Sequence, residues 1–225
     1  MNIVMEILFL IIGAILLSAP LYVIYRIIKD LMKSYFKELN SKEIEEIKKL
    51  ANARVKIYET DFPILRFNGC CLGNIVLVSK DFVEKGGGYL RGVVAHEIGH
   101  YKKKHLIISL LYFAPILYLF YSNINLLLKS VLTIPAIIIF IVIGQKLQKQ
   151  ADEFAFSIVG KDVITPLEYI YENRNRMSNI GKIKGYILNF ILYQEFNPNK
   201  DLEDRISSLN SLLNKESKKG KKVIE

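Results

Sequence analysis

His96, Glu97 and His100 stand out in this sequence as a set able to hold and use a metal ion. Residues four apart on a helix leave the same face, so both imidazoles reach one zinc ion and Glu97 stands beside it as a base. The pair takes two of only three histidines in the chain. Val93, Val94, Ala95, Ile98 and Gly99 surround the three with small and apolar side chains, which predicts a close-packed helix rather than a solvated one. A buried His-Glu-His cluster without a metal would be costly, so the setting itself argues for a bound cation.

The elements that hold this helix must fit an apolar chain. Of its 225 residues, 51% are hydrophobic, and the mean hydropathy is +0.24. That balance predicts membrane segments joined to one compact domain, with the lipid bilayer as first partner. Net charge is +9, yet Lys and Arg gather beside the apolar runs and in the C-terminal tail. Such placement fits topology determinants and anionic lipid and argues against nucleic acid. Cys70 and Cys71 are adjacent, and neighbours rarely close a disulfide, so the expectation is two reduced, buried thiols and no oxidising compartment.

Ile3 to Ile28 is long and apolar enough to cross a bilayer, and no basic region precedes it as a cleaved signal would require. Arg26, Lys29, Lys33 and Lys37 follow it and place its C-terminal end in the cytoplasm. Asn40 with Glu43 predicts a helix start, with Ile44, Ile47 and Leu50 forming the apolar face of a helix to about Ala53. Short β-rich runs at 55–58, 64–67 and 75–78, parted by Pro63, Asn68-Gly69 and Gly73-Asn74, predict a small antiparallel sheet. Gly86-Gly87-Gly88 is a flexible break that delivers the chain into the His-Glu-His helix.

After the basic triplet Lys102-Lys103-Lys104, two apolar runs, Leu106 to Tyr121 and Ile124 to Gly144, predict a transmembrane hairpin despite Lys129 and Pro135. Lys146 and Lys149 return the chain to the cytoplasm. Catalytic zinc usually takes three protein ligands and a water, so a helix over Gln145 to Ala155 is expected to lie beside the two histidines and complete the site. Further helices are expected from Thr165, from Lys182 to Phe196 and from Asp201 to Leu213, with a basic, disordered tail from Lys215.

As a set, three separated pieces resemble the integral-membrane zinc metallopeptidases that include the HtpX heat-shock protease and the CAAX prenyl protease. Gly92 to His100, with His105 beyond, looks like that family's signature helix. Ala151-Asp152-Glu153-Phe154-Ala155 is similar to its second signature, and Asn197-Pro198 with Glu203-Asp204-Arg205-Ile206 and Leu209 to its C-terminal segment. The resemblance implies one zinc per chain and Glu97 as the catalytic base. It also implies an edge strand beside the metal that pairs with substrate backbone, for which the region from Asn68 to Val78 is the candidate. Arg205 would steady an active-site carboxylate or the developing oxyanion.

The chain departs from the family at Asn197, where the family has His, and in holding one N-terminal membrane helix where two are common. A further departure falls at position 148. There the family has the glutamate that is its third zinc ligand, and this chain has Gln148. Either Gln148 coordinates through its carbonyl oxygen, or Asp152, ranked above Glu153, moves from an orienting role to ligand, or the site is disabled and the chain binds membrane-protein partners without cutting them. The fold expected is mainly α with a small antiparallel sheet, an α+β zincin-like core with integral membrane helices. Its parts are an N-terminal transmembrane segment (1–39), a metallopeptidase domain (40–214) interrupted by a hairpin (106–144), and a basic tail (215–225). The function expected is a multi-pass membrane endopeptidase facing the cytoplasm and cutting membrane or misfolded proteins.

Overall fold

Ile44 and Ile47 lie three residues apart on helix α1 (Lys42–Leu50) and are both almost wholly buried, while Glu45 and Glu46 between them face water. The computed structural model describes residues 36–61, 68–174 and 198–221. The chain divides into two compact units, Met1–Lys37 and Glu38–Glu225; apart from Lys37, the elements below belong to the second. Helix α1 begins one residue later than the sequence suggests. Ser41, rather than Asn40, caps it, its Oγ accepting from the Ile44 N–H at 3.3 Å. It stops at Leu50, short of Ala53, where Asn52 takes a left-handed conformation (φ 46°).

Four strands follow the order β1-β2-β4-β3: β1 (Lys37–Glu38), β2 (Lys56–Thr60), β3 (Gly69–Leu72) and β4 (Ile75–Ser79). The sheet is mixed, not antiparallel as expected. β4 runs antiparallel to β3, with Cys70 opposite Leu77, but parallel to β2, with Ile57 opposite Val76. Composition explains the placement. All five residues of β4 are buried, which suits a central strand, whereas the half-buried Gly-Cys-Cys-Leu of β3 takes the outer position. The strand expected over 64–67 lies outside the described residues, as do the membrane helix expected from Ile3 to Ile28 and the helix expected from Lys182 to Phe196.

A short helix the sequence reading did not anticipate, α2 (Lys80–Lys85), follows β4 and buries Phe82 completely. Gly86 and Gly87, at φ 60° and 50°, then turn the chain into α3 (Gly87–Lys102), where side chains with a Cβ would be strained. Helix α3 is the centre of the core: Val94, Ala95 and Ile98 are fully buried against Val76, Val78, Ala155 and Leu202.

Lys104, left-handed at φ 57°, separates α3 from α4 (His105–Tyr121). Helix α5 (Leu126–Val159) follows, 34 residues long and therefore about 51 Å. Two separate helices were expected here, but α5 is continuous, because nothing between Pro135 and Gly160 ends it and Gln145 to Glu153 are good helix formers. Among the described residues, the helix beginning at Leu126 is the one long and apolar enough to cross a membrane, with a mean hydropathy of 2.7 over its most apolar window. Helix α4 is shorter. Side chains on both, including Leu111, Leu127 and Ile134, are exposed.

A 3₁₀ turn (Gly160–Val163) leads into α6 (Ile164–Arg174). Last comes α7 (Pro198–Lys221), in which Leu202 and Leu209 are buried and Gln145 of α5 donates to Asp201 at 3.1 Å. Helix α7 runs well past Lys215, where a disordered tail was expected. No proline follows Pro198 to interrupt it.

Candidate metal centre

Three helices and one strand meet around His96. Helix α3 contributes His96, Glu97 and His100, α5 contributes Gln148 and Asp152, α7 contributes Arg205, and β3 lies alongside with Gly69. Helices α3 and α5 approach closely because Gly99 has no side chain. A Cβ there would stand 2.9 Å from the Ala151 carbonyl oxygen and 3.0 Å from its Cα.

Close packing brings Gln148 Oε1 to 3.1 Å from His96 Nε2, and His100 Nε2 lies 3.0 Å from the same nitrogen. Donor atoms of a tetrahedral zinc site, about 2.0–2.1 Å from the ion, are roughly 3.3 Å apart, and both distances from His96 Nε2 are close to that spacing. The third donor, Gln148, is an amide, and among the described residues no group of three His, Cys, Asp or Glu side chains is arranged to hold a metal.

Asp152 occupies the other side of the His96 ring. Its Oδ1 lies 2.8 Å from His96 Nδ1, off the line of an ideal hydrogen bond, and both its oxygens are taken by Arg205, at 2.6 Å from Nε and 2.8 Å from Nη2. Such a fork-to-fork pair is directional as well as strong. Burial alone would raise the Asp152 carboxyl, but the Arg205 charge and hydrogen bonds, with His96, hold it well below the usual carboxylate range. His100 is kept neutral chiefly by burial, with His96, His105 and Arg205 adding to the effect, and a neutral ring keeps a lone pair for a metal.

Glu97 is 3% exposed. Burial, opposed by the charges of His96 and Arg205, pushes its carboxyl up to about 7. Gly69 makes room for it: a Cβ on Gly69 would lie 2.8 Å from both Cγ and Oε1 of Glu97. Gly69→Ala is therefore expected to displace the carboxylate or the strand and to lower any hydrolytic turnover that depends on Glu97 about a hundredfold with the fold kept, as read by a turnover assay beside a thermal melt.

Asn68 lies in the same cleft, where its Oδ1 accepts from the Gly69 N–H at 3.0 Å and its carbonyl from the Ser79 N–H at 3.0 Å. Cys70 and Cys71 are free thiols, and burial, with the nearby Glu97 charge, pushes both up and out of the reactive range. Gly69 is the residue of this cleft that sequence reasoning missed. Asn68-Gly69 reads in sequence as a break between strands, whereas Gly69 opens β3 and its missing side chain leaves the space that Glu97 occupies.

A His-Glu-His helix with its glutamate buried, an aspartate beside His96 and a strand at the edge of the described sheet alongside is compatible with a metallopeptidase. Compared with known families, residues 67–172 match the model of Peptidase family M48, which supports that family for this chain and metalloprotease activity with it. The matched stretch contains His96, Glu97, His100, Gln148 and Asp152, and Arg205 lies beyond it. Neither curated proteins nor solved structures gave a match.

Proposed function

We propose that the protein is a membrane-associated zinc endopeptidase of the HtpX-like type, cutting membrane or misfolded proteins on the cytoplasmic side. The observation that carries this reading is the convergence of His96 Nε2, His100 Nε2 and Gln148 Oε1 beside a buried carboxylate. In this reading those three donors hold one zinc ion, which when bound supplies a Lewis acid and a water of lowered pKa. Glu97, poised near neutrality, takes a proton from the attacking water and returns it to the leaving amine. Asp152 is the orienting carboxylate for His96, and Arg205 fixes Asp152. Strand β3, outermost of the described strands, supports a substrate bound as an added strand past Asn68 and Gly69.

Membrane association rests on the apolar, exposed first half of α5, and a cytoplasmic active site on Lys146 and Lys149 just beyond it. The lipid bilayer and protein or peptide substrates are then the partners, and nothing in the charge pattern calls for nucleic acid.

Zinc bound per chain in detergent-purified protein tests the reading. Near-stoichiometric zinc is expected in the chain as it stands, and Gln148→Glu, which adds an anionic ligand of the same length, is expected to tighten binding at least tenfold. Zinc appearing only in the Gln148→Glu variant would replace the protease reading with that of a disabled relative.

A further inference from the structure

The contacts of the candidate centre extend beyond its donors to a third imidazole. His100 Nδ1 lies 2.9 Å from His105 Nδ1, and His105 Nε2 lies 3.3 Å from Gln150 Oε1. The two rings meet edge to face, with centroids 4.8 Å apart. His105 is 2% exposed although it is the first residue of the apolar helix α4, because the left-handed Lys104 folds the chain back over the end of α3. A boundary histidine with no role at the site would be expected to keep its polar edge in water.

The direction of this series is set at its two ends. A histidine that offers Nε2 to a metal carries its proton on Nδ1, and that proton needs an acceptor. At His100 the facing atom is His105 Nδ1. For that nitrogen to accept, the His105 proton must sit on Nε2, and Nε2 faces Gln150 Oε1, an oxygen that only accepts.

From this geometry we infer that His105, seated by Gln150, is a positioning residue that fixes the tautomer and ring orientation of His100 as a metal ligand. The inference rests on the reading of His96, His100 and Gln148 as the metal's donors. It ties the ligand to both arms of the apolar hairpin, since His105 opens α4 and Gln150 lies on α5.

The test uses the full chain in detergent, with zinc affinity measured by competition against a fluorescent chelator. His105→Leu removes the acceptor and is expected to weaken zinc binding ten- to a hundredfold. His105→Asn, whose side-chain oxygen falls near the position of Nδ1, is expected to recover most of that loss. Because the chain has only three histidines, ¹⁵N spectra of the zinc-loaded protein with labelled imidazoles can also be assigned, and the His105 proton is expected on Nε2. That measurement needs no variant and decides the matter if His105→Leu does not fold. Unchanged affinity in His105→Leu, equal losses in the Leu and Asn variants, or a proton on His105 Nδ1 would overturn the inference while leaving the donor set standing. A chain that binds no zinc at all would remove the metal reading and this inference together.

Discussion

Glu97→Gln is expected to reduce cleavage by about two to four orders of magnitude while leaving zinc binding intact. Loss of a positioned general base typically costs 10²–10⁴-fold, and Glu97 is the base and then the acid in the proposed reaction. Retained zinc distinguishes this from collapse of the site, since none of the three converging donors is touched.

The same substitution should stabilise the metal-free protein, and the sign follows from burial. The folded chain lifts the Glu97 carboxyl from 4.5 to about 7, so the folded state holds the proton more tightly than the unfolded one. Stability is therefore lost as pH rises from about 4.5, and the full cost, about 3 kcal/mol, is reached only above pH 7. Denaturant melts of the metal-free Glu97→Gln variant should show the greatest gain over the parent at pH 8 and little gain at pH 5. A gain independent of pH would mean that folding does not raise the Glu97 carboxyl.

The second large effect is expected at Arg205. Replacing it with Leu strands the Asp152 carboxylate, 2% exposed, without the cation that forks onto both its oxygens. Breaking a buried pair on one side typically costs 3–5 kcal/mol, and a loss of about that size is expected at pH 7 in chemical denaturation. Asp152 is depressed in the native state, so its contribution is present above the unfolded carboxylate value and fades as pH falls through the folded one. The deficit of Arg205→Leu should accordingly shrink towards pH 4, where the stranded carboxyl takes up a proton. Adding Asp152→Leu should restore much of the stability, because an apolar pair replaces a broken ionic one, but not zinc affinity, because His96 Nδ1 loses its partner.

The helix that carries His96, Glu97 and His100 was legible in the sequence because its chemistry is local: a four-residue spacing is enough to put two rings on one face. Long-range geometry was less legible. Whether Gln148 or Asp152 faces the histidines depends on how far apart α3 and α5 lie and on where α7 places Arg205, and neither is encoded near those residues. The sheet was anticipated as antiparallel because strand runs in sequence carry no direction, and the order β2-β4-β3 follows from which strand can be buried on both faces. Helix α5 was read as two pieces meeting at Gly144, where the apolar run gives way to polar residues, while the strong helix formers after Gly144 keep it whole. Gln150 left no trace, since its role comes only from a contact with a histidine 45 positions earlier.

Gly99 sets a limit on how this site can drift by mutation. The donor on α5 can change its chemistry at little cost to the backbone, because Gln and Glu have the same length and reach. The distance between the two helices cannot change so freely: a single methyl group at Gly99 would meet the backbone of Ala151 and move Gln148 and Asp152 together. A relative of this protein could therefore gain or lose charge at the metal in one step, whereas the spacing of the ligands is held by an atom the chain lacks.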